Sequence, residues 1–257
     1  YPSGAPAAPK TIGPIHQDVA YYGPVAGEAL PLIVISHGTG GSALGHYDTA
    51  LALADAGFVV VALSHTGDNY KDRAYSFTPR NFADRARHVS RVIDFMLNDW
   101  DGHDRLDPAR IGIFGHSAGA ATALILVGGN PDLSLAVLFC RDHPEDWGCR
   151  QTRELSGNRP LKAADWTTPD WHHDPRIKAA ALAAPALGPA FGKTGLANIT
   201  APVQLWRSAE DVIPPNRSFG DLVRDADAVP GEPCSRPAAT LDPTEDVHSG
   251  RPPCHGR

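Results

Sequence analysis

The chain has 257 residues, of which 42% are hydrophobic and 20% are charged. That composition is typical of globular proteins and excludes wholesale disorder, and the longest apolar runs are far too short to span a bilayer. A net charge of −6 argues against a nucleic-acid-binding or anionic-membrane-binding surface, because both need concentrated lysine and arginine. We therefore expect a single α/β domain over residues 1–257, with no nucleic-acid partner and no stable membrane insertion.

Strand-like and helix-like segments alternate through the first half of the chain. The sequence predicts an extended arm over residues 1–14 and then strands at 16–22, 30–36, 58–64 and 110–115. Helices are predicted around residues 47–56, 81–100 and 118–127. On the long helix, Arg85, Arg87 and Arg91 are expected to mark the wetter side. Such alternation predicts a mostly parallel central sheet with helices on both faces.

The second half is less regular. Residues 130–174 interrupt the alternation and are predicted to be a cap-like or loop insertion, because bare connections of that length are uncommon. Further strands are expected at residues 177–183 and 203–207, followed by a helix near 216–226. Residues 230–257 show almost no aliphatic pattern and are interpreted as an atypical tail, for which an abnormal origin such as a shifted reading frame is one hypothesis.

The strongest chemical motif is Gly-His-Ser-Ala-Gly at residues 115–119, placed directly between a predicted strand and a predicted helix. In a nucleophile elbow, a serine occupies a strained strand-to-helix turn, and the flanking glycines leave room for it. This placement predicts that Ser117 is a catalytic nucleophile.

A second motif, Ser-His-Gly-Thr-Gly-Gly at residues 36–41, closes an earlier buried strand. Acyl transfer passes through an oxyanion that two fixed backbone N–H groups can stabilise. We predict that Thr39 and Ala118 supply those two donors as the oxyanion hole. His37 is interpreted as a structural hydrogen-bonding residue at the strand end rather than as a base.

The acid and base of a triad are expected late in the chain. Asp211 follows the strand predicted at 203–207 and is the favoured acid, with Glu210 as its rival, because a carboxylate there would orient an imidazole. The order Ser…Asp…His leaves His248 and His255 as candidate bases, and the alternative is that both belong to a solvated tail. We choose His248. Asp170 and Asp174 are interpreted as turn or cap residues.

The four cysteines lack the paired spacing of a zinc cluster, and no metal or other cofactor is predicted. Cys140 and Cys149 enclose a polar stretch, whereas Cys234 and Cys254 lie in the tail. Two disulfides in an exported protein are favoured over free thiols, although the spacing leaves the pairing open.

Several segments together resemble a known family. They are Ser-His-Gly-Thr-Gly-Gly, the run at residues 57–69, the nucleophile segment at 110–120, the run at 174–186, and the stretch from Pro202 to Pro215 with Glu210 and Asp211. This combination is similar to the predicted dienelactone hydrolases, serine esterases of the α/β-hydrolase superfamily, and to platelet-activating-factor acetylhydrolase-like proteins. The resemblance implies a secreted or periplasmic hydrolase of small-molecule carboxylic esters, with Ser117, Asp211 and a late histidine as triad. True dienelactone hydrolases use a cysteine nucleophile, so their named substrate is not carried over.

Two functions remain from different classes. The first is a serine esterase that needs no cofactor. The second is a catalytically impaired α/β-hydrolase scaffold that binds a small ester or a protein partner. The same fold also hosts amidases, peptidases and acyltransferases, because function resides in the site rather than in the scaffold.

Overall fold

A computed structural model of the chain describes residues 1–158, 160–162, 164 and 166–206. Two short strands come first, β1 (Ala8–Ile12) and β2 (Ile15–Val19), and they pair antiparallel as a separate two-stranded sheet. The arm predicted over residues 1–14 thus contains a strand of its own. The sequence gives little sign of this strand, because none of its residues is buried and it therefore lacks the alternation of buried apolar side chains that identifies a strand. The two strands are joined at Gly13, which has a φ of +58°.

The central sheet consists of the five strands β3 (Leu30–Ser36), β4 (Val59–Leu63), β5 (Leu106–His116), β6 (Ile177–Ala183) and β7 (Val203–Trp206). Their spatial order is β4-β3-β5-β6-β7, and every neighbouring pair is parallel. The continuous apolar run of β3 lies in the interior, as expected for a strand covered on both faces. This is the α/β-hydrolase fold that the sequence predicts.

Six helices accompany the strands in the described part of the chain: α1 (Tyr47–Asp55), α2 (Pro79–Asn98), α3 (Ala118–Leu126), α4 (Leu133–Asp142), α5 (Trp147–Leu155) and α6 (Lys193–Leu196). All nine residues of α3 are buried, since this helix packs against β3, β5 and β6 and against α2. Helix α2 begins at Pro79 after the capping residue Thr78, whose side chain accepts a hydrogen bond from Asn81 N–H.

The carboxyl ends of the parallel strands meet at one edge of the sheet, and the two chemical motifs follow two of them. Ser36 ends β3 and His116 ends β5, and these strands are direct neighbours in register, with Ser36 opposite Gly115. In open α/β sheets, ligands bind at the carboxyl ends of the strands. The topology therefore brings the two motifs together at the edge where a site is expected.

Candidate active site

Ser117 occupies the turn between β5 and α3 in a strained backbone conformation, with φ 54° and ψ −117°. A residue with a side chain rarely adopts such angles, and the cost is on the order of 1–3 kcal/mol. The end of β6 helps to hold this turn, because Ser117 N–H donates to the Ala183 carbonyl at 2.9 Å and Ser117 C=O accepts from Ala186 N–H at 3.0 Å. The Ser117 side chain makes no capping hydrogen bond to its own helix.

The glycines on either side of Ser117 are required by close backbone contacts. A Cβ at Gly119 would overlap the carbonyl oxygen of Ser36, and a Cβ at Gly115 would overlap the carbonyl oxygen of Gly119. The nucleophile turn is therefore packed directly against the end of β3. This is the steric reason that the Gly-x-Ser-x-Gly spacing suggests in the sequence.

The loop at residues 37–41 lies against the nucleophile turn. A Cβ at Gly38 would be 3.3 Å from Ser117 Cβ. Gly41 N–H donates to the Gly38 carbonyl at 3.0 Å, and Gly40 N–H donates to Asp68 Oδ1 at 3.1 Å. Within the described part of the chain, Thr39 N–H has no hydrogen-bond acceptor. Thr39 thus lies between two glycines whose backbone groups are hydrogen-bonded, and its own N–H is free of an acceptor among the described residues.

His37 is a buried structural residue, as its position at the strand end suggests. Its Nδ1 lies 2.6 Å from the Gly38 carbonyl and its Nε2 accepts from His65 N–H at 3.1 Å, an arrangement that fits one neutral tautomer. Burial lowers the pKa of His37 below its ordinary value, and the positive charge of Arg85 acts in the same direction. A ring with both nitrogens engaged and buried has no free position for proton transfer.

A buried ion pair lies beneath this loop. Asp68 and Arg85 are fully buried, and Arg85 Nη1 donates to Asp68 Oδ2 at 2.7 Å. Asp68 Oδ1 accepts from Ser76 Oγ at 2.6 Å and Asp68 Oδ2 from Asn81 Nδ2 at 2.8 Å, in addition to Gly40 N–H on Oδ1. Burial raises the pKa of Asp68, but Arg85 and these hydrogen bonds outweigh it, so the pKa lies below its ordinary value.

The prediction that Arg85 marks the wetter side of α2 is wrong. Arg85 follows Phe82 by three residues and precedes Val89 by four, so it lies on the same buried stripe of the helix. That spacing was the signal that could have identified it. Sequence reasoning also assigned no role to Asp68 or to His65, a buried histidine whose Nε2 lies 2.9 Å from Ser36 Oγ.

The predicted acid and base are not among the described residues. Asp211 and its rival Glu210 lie outside them, as do His248 and His255. The pairing of these residues with Ser117 stays a prediction. The same holds for the helix predicted near residues 216–226 and for the cysteines of the tail.

Asp174 serves a structural purpose, as its interpretation as a turn or cap residue suggests. It is buried just before β6, where Asp174 Oδ2 accepts from Ser90 Oγ at 2.7 Å and pairs with Arg176 Nη2 at 2.6 Å. Because β6 is parallel to β5, Asp174 lies at the amino ends of the strands, opposite the edge that carries Ser117.

The insertion at residues 130–174 contains more regular structure than its sequence suggests. Helices α4 and α5 begin after the capping residues Asp132 and Asp146, and a disulfide joins Cys140 of α4 to Cys149 of α5. The ring of Trp147, at the start of α5, lies edge-on to Phe77, with ring centroids 5.7 Å apart. The insertion thus contacts the segment that precedes α2.

Among the residues that the structure describes, no group of three or more histidine, cysteine or acidic side chains could hold a metal ion. No helix in that part of the chain has the length and apolar character needed to cross a membrane.

Comparison with known proteins supports the hydrolase interpretation at the level of the superfamily. Residues 27–141 match the family model described as serine aminopeptidase, S33. This range includes the loop at residues 37–41, the buried Asp68–Arg85 pair and Ser117, and it ends within α4. Together with the parallel sheet, the match supports placement in the α/β-hydrolase superfamily and a hydrolase function. The comparison with curated proteins finds no significant match.

Proposed function

We propose that this protein is a serine hydrolase that cleaves small carboxylic esters through an acyl-enzyme intermediate. The observation that carries the proposal is the strained backbone of Ser117 between β5 and α3, directly against the loop at residues 37–41. Strain of this kind persists only where surrounding contacts enforce it, and it concentrates at functional sites. The match to a serine hydrolase family supports the same role for Ser117.

In the proposed reaction, Ser117 Oγ attacks the ester carbonyl carbon while the imidazole of His248 takes the hydroxyl proton. Asp211 orients and charge-stabilises that imidazole. The tetrahedral intermediate then collapses, the C–O bond to the alcohol breaks, and the His248 proton passes to the leaving alcohol. Water next attacks the acyl-enzyme with His248 as base, which releases the carboxylic acid and restores Ser117.

The oxyanion hole is proposed to consist of the backbone N–H groups of Thr39 and Ala118. Two facts support this assignment. Within the described residues Thr39 N–H has no competing acceptor, and Ala118 is the first residue of α3, where the helix dipole favours negative charge. Loss of one oxyanion donor typically lowers kcat by about 10²–10³-fold.

The insertion is proposed to form one wall of the substrate pocket, with Trp147 and the paired helices α4 and α5. Its disulfide supports the further proposal that the protein is exported to a secreted or periplasmic location, because such bridges persist in oxidising compartments.

The proposal is tested by hydrolysis of p-nitrophenyl acetate. Ser117→Ala should lower kcat by about 10⁴–10⁶-fold, whereas Ser3→Ala, in the N-terminal segment, should match wild type. His248→Ala and His255→Ala identify the base, and Asp211→Asn and Glu210→Gln identify the acid, since one member of each pair should show the large loss. No hydrolysis by the wild-type chain would contradict the esterase and favour the impaired scaffold.

A second candidate function is cleavage of peptide amides at the amino terminus. It is favoured by one observation, the description of the matched family as serine aminopeptidase. Aminoacyl p-nitroanilides separate the two candidates: an aminopeptidase hydrolyses them with a kcat/KM above that for p-nitrophenyl acetate, and an esterase shows the reverse order.

A further inference from the structure

The Asp68–Arg85 pair contacts both backbone segments that are proposed to bind the oxyanion. In the loop at residues 37–41, Arg85 Nη2 donates to the His37 carbonyl and Asp68 Oδ1 accepts from Gly40 N–H at 3.1 Å. One contact lies two residues before Thr39 and the other lies one residue after it. The pair thus holds the loop on both sides of the proposed donor.

The same guanidinium also reaches the nucleophile helix. Arg85 Nε donates to Thr122 Oγ1 at 3.1 Å, and Thr122 Oγ1 donates to the Ala118 carbonyl at 2.8 Å. Thr122 and Ala118 lie in α3, whose first N–H is the second proposed donor. Arg85 therefore links both segments through hydrogen bonds.

The burial of this pair is not explained by its effect on stability. When two charges are buried, the free energy of lost hydration is about as large as the gain from their mutual attraction. Replacement by apolar side chains of similar volume therefore often leaves protein stability unchanged or higher. Asp68 and Arg85 are fully buried, and the four donors to Asp68 satisfy both of its oxygens. A network of this kind does fix geometry, because its planar guanidinium and carboxylate accept few alternative arrangements.

We infer that Asp68 and Arg85 are positioning residues that set the separation of the Thr39 and Ala118 N–H groups and so preorganise the oxyanion hole. This inference rests on the proposed serine-hydrolase function. Both side chains are fully buried, so neither is exposed for contact with a substrate. They act on the transition state through the backbone, because an oxyanion forms after attack and needs both donors at hydrogen-bond distance without reorganisation.

The test compares variants of this network with a matched pair elsewhere. Asp68→Asn removes the charge that orients Arg85, and Arg85→Lys keeps the charge but has a single ammonium in place of three separate N–H directions. Thr122→Val, of nearly the same shape, removes only the link from Arg85 to α3. Asp174→Asn is the control, because Asp174 is also a buried carboxylate that binds an arginine and a serine, at the opposite edge of the sheet.

Active sites are first counted by titration with a fluorophosphonate, so that every rate refers to folded, reactive enzyme. For p-nitrophenyl acetate, kcat per titrated site should fall about 10- to 100-fold in Asp68→Asn and Arg85→Lys, with KM within about threefold of wild type, since the loss is confined to the transition state. In Thr122→Val, kcat per titrated site should fall about fivefold, because only the link from Arg85 to α3 is lost. A trifluoromethyl ketone forms a hemiketal oxyanion on the nucleophile. The affinity of each variant for this inhibitor should fall by the same factor as its kcat/KM.

The outcomes separate this inference from the proposed function. A wild-type chain that neither reacts with the fluorophosphonate nor hydrolyses the ester contradicts the function itself. If the wild type is active, two results would contradict the positioning role alone. One is that the folded variants keep the wild-type kcat per site, and the other is that kcat falls as much in Asp174→Asn as in Asp68→Asn. If Asp68→Asn and Arg85→Lys fail to fold, the kcat per site of Thr122→Val tests the positioning role. Failure of Thr122→Val to fold would also contradict the role, because it would assign the network to the folding core.

Discussion

Lowering the pH should destabilise the folded chain through its buried imidazoles, and His65 gives the sharpest case. His65 is fully buried, with its Nε2 2.9 Å from Ser36 Oγ, and Arg85 and two further histidines, His37 and His88, surround it. Burial lowers the pKa of His65 well below its ordinary value of 6.5, and the Arg85 charge adds to that effect. The ring is therefore neutral in the folded state over the range in which the unfolded chain takes up a proton.

The direction and size of this change in unfolding free energy follow from proton linkage. Below pH 6.5 the unfolded state binds more protons at this residue than the folded state, so stability is fully present above that pH and falls as the pH drops toward the folded pKa. Between pH 7.5 and 5.5, one histidine that stays neutral when folded loses about 1.4 kcal/mol of unfolding free energy. Protonation of Asp68 acts in the same direction but only at much lower pH, because its folded pKa lies below 3.8.

Urea denaturation of wild type and of His65→Gln at pH 7.5 and 5.5 measures how much His65 contributes to the drop in unfolding free energy. The glutamine amide retains a polar partner for Ser36 but does not titrate, so the drop in unfolding free energy should be smaller than in wild type by about 1.4 kcal/mol. His103→Gln, on an exposed histidine, is the control and should keep the wild-type drop. An equal drop in wild type and His65→Gln would show that His65 does not cause the loss of stability at low pH.

Two further predictions concern the turn and the insertion. Gly119→Ala should destabilise the chain by about 3 kcal/mol, because the new Cβ would overlap the Ser36 carbonyl, and thermal unfolding measures the loss. Gly192→Ala is the control and should be close to neutral, because the nearest atom to its Cβ is a Leu135 methyl at 3.7 Å. Equal losses of stability in Gly119→Ala and Gly192→Ala would argue against tight packing of the nucleophile turn. Reducing the Cys140–Cys149 disulfide should destabilise the insertion by about 3 kcal/mol, given the sequence separation of 9 residues. Hydrogen exchange over residues 133–155 should then accelerate with dithiothreitol, and unchanged exchange would contradict a stabilising bridge.

The sheet could be predicted because its strands carry strong local signals. The apolar run of β3 and the alanine-rich segment of β6 predicted both strands with the bounds that the structure shows. The position of Ser117 followed from its motif, because flanking glycines between a strand and a helix have a steric meaning that a single sequence can show.

The buried polar network could not be predicted from local pattern with the same ease. An arginine on a helix is usually exposed, and this general preference favours the wrong side for Arg85 even though it shares the spacing of the buried apolar residues of α2. Its partner Asp68 lies 17 residues earlier in a loop, and only the folded chain brings the two within 2.7 Å. Likewise, helices α4 and α5 are short, begin after the capping residues Asp132 and Asp146 and are joined by a disulfide, and such short helices give weaker sequence signals than α2 does.

Covalent labelling tests whether Ser117 is an activated nucleophile. A fluorophosphonate should react with one site per chain, and peptide mass spectrometry should place the phosphonate on Ser117, with no adduct in Ser117→Ala. An adduct on another residue, or no adduct at all in a chain shown to be folded, would show that Ser117 is not the activated nucleophile.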